Sequence, residues 1–183
     1  MLDKPLFPTM FYETEISKEL SFAVLDEIKQ KQHMIDTVSE ATQIHPLSDY
    51  STDFYHTIRI ETFWSDVVPE LQHQWKELDN LTMHNIQPWV SCYTGPGGHH
   101  PLHNHSTGYS GRLHYSAILY LTNVGMTDFF SVDATAYARQ HCEHSKVGKV
   151  IYFPSIIPHQ YRSENYDGNA RYTLPFNFEL VNV

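Results

Sequence analysis

Residues 171–180 read Arg171-Tyr172-Thr173-Leu174-Pro175-Phe176-Asn177-Phe178-Glu179-Leu180. In an extended chain successive side chains point to opposite faces. Arg171, Thr173 and Asn177 therefore share one face, and Tyr172, Leu174, Phe176 and Phe178 share the other. A polar face backed by an apolar one suits a barrel wall that stands between a wet pocket and a packed layer.

Upstream of this strand the texture is of short β-branched and aromatic runs broken by Gly, Pro and Asn. Candidate strands are Ile86–Tyr93, Pro101–His105, Tyr115–Thr122, Asp128–Val132, Lys149–Phe153 and His159–Arg162, with Arg171–Leu180 closing the series. Before residue 80 the period is different. Leu20, Val24, Leu25 and Ile28 recur on one helical face, and Ser17 is placed to cap that helix. A second amphipathic helix is expected over Ser65–Leu78, with Trp64, Val68, Leu71, Trp75 and Leu78 as its stripe; Pro69 is tolerable near the first turn. Leu6–Ile16 reads as an extended edge strand, and 33–60 as loop with one short strand. Many short strands following helices predict a mainly β fold, a β-sandwich or jelly roll with flanking helices packed outside. The chain divides as one domain, with a strand and helical annex over 1–82 and the jelly-roll core over 83–183.

Composition narrows the function classes. The chain has 183 residues, 21 acidic and 12 basic, for a formal charge of −9. That balance argues against nucleic acid as a partner, since phosphate binding needs clustered basic groups; Arg112, Lys146 and Lys149 are the only local basic grouping near the expected pocket. No apolar run is long enough to span a bilayer, and no charged-then-apolar leader opens the sequence. Two cysteines, Cys92 and Cys142, make no disulfide framework, so a reducing cytoplasm is the simpler expectation. Histidine is abundant, at thirteen residues, of which His99, His100, His103, His105 and His114 fall close together.

Three constellations carry chemistry. His103-Asn104-His105 follows the glycine-bearing Gly95-Pro96-Gly97-Gly98. Histidines at i and i+2 on a strand project from one face about 6–7 Å apart and can converge on a cation. The segment 148–159 (Gly-Lys-Val-Ile-Tyr-Phe-Pro-Ser-Ile-Ile-Pro-His) runs from a glycine turn through an apolar strand to a proline corner, and presents His159 at a pocket mouth. Arg171 and Thr173 follow on the polar face of the last strand, where an inward arginine needs an anion and its planar fork matches a carboxylate. Singly, each has an ordinary explanation in a buried histidine or a surface ion pair. His141, Cys142 and His144 lack a fourth zinc ligand at suitable spacing and read as polar helix or loop.

The order His-x-His, about fifty residues, His, about a dozen residues, Arg-x-Thr resembles the iron(II)/2-oxoglutarate-dependent oxygenases, which implies that the jelly roll is a cupin-like double-stranded β-helix. The likeness extends to a partly phage-borne branch through Leu6-Phe7-Pro8-Thr9, Tyr109-Ser110-Gly111, Tyr120-Leu121, Phe153–His159 and Phe176-Asn177-Phe178. It implies Fe(II) held by His103, His105 and His159, and 2-oxoglutarate chelating the iron while Arg171 and Thr173 take its far carboxylate, with Tyr120 near it. Molecular oxygen would be consumed and a C–H bond hydroxylated. His105 departs from the family pattern, which places a carboxylate there; Asp128 is the reserve ligand and Asp133 a second choice. Tyr115 and His114 could line the pocket, and His99 and His100 could orient the ligating histidines.

Two other readings stand beside this one. A cupin-type metalloprotein would use three histidines without 2-oxoglutarate, but the glutamate expected about four residues after His105 is missing and Arg171 goes unexplained. A non-catalytic jelly-roll binding module would leave the histidines incidental. The sequence leaves the substrate open between small molecule and peptide. An exposed N-terminal strand could pair edges in a homodimer.

Overall fold

The computed structural model describes residues 11–31, 51–53, 59–93, 99–105, 113–130, 139–162 and 168–182. Among the described residues ten strands are formed: β1 (Tyr12–Glu15), β2 (Ser51–Asp53), β3 (Leu81–Tyr93), β4 (His99–His103), β5 (Leu113–Tyr120), β6 (Met126–Phe130), β7 (Arg139–His144), β8 (Lys149–Pro154), β9 (His159–Arg162) and β10 (Arg171–Asn182). They make two antiparallel sheets. The major one has the order β1-β8-β5-β10-β3-β2 and the minor one β4-β9-β6-β7.

Among the described residues two helices cover the outer face of the major sheet. In α1 (Lys18–Gln30), Ser17 is the cap as expected, its Oγ accepting from the Leu20 N–H at 3.1 Å. The second helix, α2 (Val68–Asp79), has Pro69 in its first turn and is preceded by a π-helical turn over Phe63–Val67, so the helical run starts earlier than Ser65. Asn80 closes α2 in the left-handed conformation, and β3 starts at the next residue.

The alternation read in β10 sorts the two faces. Leu174, Phe176 and Phe178 are buried against the helices with Leu71, Trp75, Phe63 and Ile28, while Arg171 and Thr173 face the minor sheet. Tyr115 belongs to the helix-side core too, 6.2 Å from the Trp75 ring, and does not line the pocket. A smaller apolar cluster of Ile118, Tyr120, Phe129, Ile151, Phe153 and Ile157 fills the space between the sheets.

Four sequence expectations shift. β3 begins at Leu81 instead of Ile86, because a bulge at Asn85–Ile86 breaks the alternation that marks a strand. β4 ends at His103, so His105 lies beyond the strand. The segment containing His141, Cys142 and His144 is a strand, β7, and not a helix or loop; it is the edge of the minor sheet, paired only with β6, which explains its polar composition. Of Leu6–Ile16, the strand proper is β1, an edge of the major sheet; residues 1–10 lie outside the described residues, as do most of 33–60, Tyr109–Gly111 and Asp133. Among the described residues no helix is long and apolar enough to cross a membrane.

Candidate metal centre and co-substrate cavity

A cavity of about 290 Å³ lies between the sheets. Its floor comes from alternate residues of the major sheet: Trp89, Ser91 and Tyr93 of β3, Ser116 and Ile118 of β5, and Arg171, Thr173 and Pro175 of β10. The minor sheet supplies Thr127, His159 and Tyr161, with His100 and His103 from β4.

The three histidines singled out in the sequence converge. His103, His105 and His159 each offer a ring nitrogen, and these nitrogens all lie within 4.8 Å of one another. His103 and His159 are direct partners in the β4–β9 pairing. His105 reaches the group by another route: its N–H donates to the Ser155 carbonyl at 2.9 Å, which folds the chain back after β4. His103 Nε2 and His105 Nε2 are 3.2 Å apart. Two nitrogens bound to one metal at about 2.0–2.1 Å and roughly 90–110° would stand about 3.0–3.4 Å apart.

Two of the three rings show how their surroundings act on them. His159 Nδ1–H donates to the Ile157 carbonyl at 3.0 Å, which leaves Nε2 with its lone pair directed at the cluster. Burial, reinforced by the adjacent imidazoles, holds His159 well below the ordinary histidine range, and burial with His103 beside it lowers His105 to about 4. Both are therefore neutral at physiological pH, the state in which an imidazole nitrogen can take a metal. Phe129 and Phe153 pack against His159 with ring centroids 6.0 and 4.8 Å away. The geometry and the donor set fit a divalent transition metal. Zinc and iron are not separated by the three imidazoles alone.

The remaining predicted residues are placed as follows. Asp128 is fully buried, but it alternates with Thr127 and Phe129 and so faces away from the cavity, towards Gln160. It is not part of the cluster of ligand atoms found among the described residues. Tyr120 stands behind the cavity wall, fully buried, and its hydroxyl donates to Thr127 Oγ1 at 3.0 Å. His100 lies with its ring 4.0 Å from that of His103 and lines the cavity. His114 lies elsewhere, on a second cleft.

Arg171 is the feature that gives the cavity its sign. Its residue is 3% exposed. The guanidinium donates to Thr127 Oγ1 at 3.1 Å and, at 3.4 Å, to Ser145 Oγ, and lies 4.1 Å from the centre of the Tyr161 ring. Tyr93 and Tyr120 flank it at 5.9 and 5.7 Å. Gly125 makes this stack possible: at φ +76° it is strained for any other residue, and a Cβ there would come within 2.6 Å of the Tyr161 ring. Every partner of the guanidinium among the described residues is neutral. Thr127 Oγ1 accepts from both Arg171 and Tyr120, so its own O–H must donate elsewhere. A buried cation beside a spare hydroxyl donor has the chemistry to receive an anion. Tyr93, Tyr161, Thr127 and Gly125 were not singled out in the sequence.

Two antiparallel sheets enclosing a cavity lined by three converging histidines and a buried arginine define a jelly-roll protein of the double-stranded β-helix type. Solved structures of that class superpose on it. The chain is similar to a Pseudomonas putida prolyl-4-hydroxylase, at 15% identity, TM-score 0.63 and 94% coverage of either chain. It is likewise similar to a Trichoplax adhaerens prolyl hydroxylase solved with a hypoxia inducible factor oxygen degradation domain peptide fragment, at 15% identity and TM-score 0.62, covering 92% of this chain and 83% of that one. AviO1 from Streptomyces viridochromogenes Tue57 matches at 9% identity and TM-score 0.58, with 93% and 90% covered. At these identities the likeness is one of fold. At the level of sequence, neither a family model nor a curated protein matches the chain.

Proposed function

We propose that this protein is an iron(II)/2-oxoglutarate-dependent dioxygenase that hydroxylates a C–H bond of its substrate. The observation that carries the reading is the pairing, in one cavity, of three converging imidazoles with a buried arginine that no described carboxylate neutralises. A bare three-histidine metalloprotein gives no reason for that arginine. The fold likeness to prolyl hydroxylases supports the same reading.

His103, His105 and His159 would hold the iron, and Arg171, with the hydroxyls of Thr127 and Thr173, would bind the far carboxylate of 2-oxoglutarate. When bound, the metal and co-substrate supply the oxidising chemistry, consuming molecular oxygen as 2-oxoglutarate is decarboxylated. The chain's own work is to position and to exclude water. The Ile157 carbonyl fixes the His159 tautomer, and Ser155 fixes the path of His105. Tyr161 and Tyr93 hold the guanidinium plane, so the anchor is set before the anion arrives. Tyr120 acts through Thr127, orienting its hydroxyl. Phe129 and Phe153 keep the metal side of the cavity dry. Three neutral imidazoles leave the centre one unit more positive than two histidines and a carboxylate would, which favours binding of an anionic co-substrate.

The test is spectroscopic. Anaerobic protein given Fe(II) and then 2-oxoglutarate should retain the iron and develop the weak visible metal-to-ligand absorption expected of the chelate. Protein that takes up no iron refutes the reading. Iron bound without any response to 2-oxoglutarate assigns the chain to the cupin-type alternative.

A further inference from the structure

A second cleft, of about 320 Å³, adjoins the first on the far side of His105. Its polar lining is Asn85 and Gln87 of β3, His114 of β5, Ser155, and Asn177 and Glu179 of β10, with Ile86 and Phe178 as the apolar part. His105 lines both spaces. The polar face of the major sheet therefore runs from Arg171, past the three histidines, into this cleft.

The lining differs in kind from that of the first cavity. It is built on side-chain amides: Asn85, Gln87 and Asn177 project into one cleft, and the side chains of Asn85 and Gln87 hydrogen-bond to no other described residue. Asn177 is held from one end only. The Ser116 hydroxyl donates to its Oδ1 at 2.7 Å, with Ser155 Oγ 3.0 Å behind Ser116, and the Nδ2 group is left for the cleft. Glu179 and His114 stand directly opposite one another on neighbouring strands, so the one carboxylate has an imidazole beside it.

The backbone explains the placement. At Asn85, φ is +51°, in the left-handed region that asparagine adopts more readily than most residues. Asn85 and Ile86 oppose the single residue Phe178, which makes a bulge in the β3–β10 pairing. A bulge re-aims side chains, and this one turns Asn85 onto the cleft beside Gln87.

From this we infer that the cleft binds a neutral, amide-bearing group of the substrate. A carboxamide presents a donor and an acceptor side by side, and another amide matches that pair. An anion would meet the Glu179 carboxylate and neither a lysine nor an arginine among these lining residues, and an apolar group would leave three amides unpaired. At about 320 Å³ the cleft is at the small end of sites that take small molecules. Oxidation of the bound group rests on the oxygenase reading above; binding itself does not.

The probe is N-acetylglycinamide, titrated into the metal-free full chain and followed by NMR shift changes. Millimolar binding is expected, with acetate, toluene and methyl glucoside binding more weakly. Gln87→Leu, at an exposed position, and Asn177→Leu should each weaken it at least fivefold, whereas Arg171→Met should not. Equal binding by both leucine variants, or a preference for any of the three comparators, overturns the inference. Failure of iron or 2-oxoglutarate to bind while the amide still does would sink the oxygenase reading and leave this one standing.

Discussion

The two faces of the major sheet handle charge in opposite ways. On the helix-backed face, Glu27 accepts from Lys31 Nζ at 2.6 Å and from the backbone N–H groups of Glu61 and Thr62 at 2.7 and 2.8 Å. Its charge is satisfied within the chain, and the rest of that face is an apolar core. On the cavity face, Arg171 is more deeply buried and meets only hydroxyls and tyrosine rings among the described residues. Folding stability explains the first arrangement. It does not explain the second, because a buried cation lacking a counter-charge costs free energy in the absence of a ligand. The difference separates residues that hold the fold from residues kept for a ligand.

Substitutions on the two faces should therefore break different things. The largest loss of stability is expected from Phe176→Ala. This ring is fully buried, 5.4 Å from Phe63 and 5.7 Å from Phe178, and its removal should cost about 3–5 kcal/mol in urea unfolding. His159→Ala, on the cavity face, should leave the metal-free protein folded yet weaken metal binding by more than about a hundredfold, measured by calorimetric titration. If His159→Ala destabilises the metal-free chain as much as Phe176→Ala does, the division between the faces fails.

Much of this division was legible in the sequence, and the parts that were not share a cause. Alternation over 171–180 sorted Arg171 and Thr173 from Phe176 and Phe178, because a strand's side-chain period is local. Ser17 was legible as a cap for the same reason. The order of His103, His105 and His159 was readable, but the convergence of His105 depends on Ser155, fifty residues away. Tyr93, Thr127 and Tyr161 meet at Arg171 only through the pairing of β10 with β3 and of β6 with β9. Register across strands is a tertiary property. Asp128 shows how sharply it acts: one residue separates it from Thr127, and that step puts its carboxylate on the opposite face of the minor sheet. β7 was hidden because an edge strand need not be apolar.

Arg171→Met sharpens the comparison on the cavity side. Removing a buried cation that no described carboxylate neutralises should leave the metal-free protein equally stable or slightly more so. The same change should weaken 2-oxoglutarate binding by about a hundredfold, as loss of a buried charge-assisted contact does. A marked fall in stability would mean that the arginine serves the fold and would remove the argument for an anion site.

The smallest effect lies on the other face, at Glu27. Burial alone would raise the pKa of this carboxyl, but the Lys31 ammonium and the N–H groups of Thr62 and Glu61 outweigh it and hold it down at about 2. A depressed folded-state pKa contributes stability that is complete above the unfolded value of 4.5 and is lost as pH falls towards 2. Partial solvent screening limits this to about 1–2 kcal/mol. Glu27→Gln keeps one acceptor oxygen but loses the charge, so it should be less stable than the parent by that amount at pH 7. In urea unfolding the gap between the two proteins should close between pH 4.5 and 2, as the parent's carboxyl takes up its proton. A gap that stays constant over that window would show that Glu27 ties α1 to the residues ahead of α2 by hydrogen bonding alone. Charge would then be matched on neither face, and the contrast with Arg171 would rest on burial only.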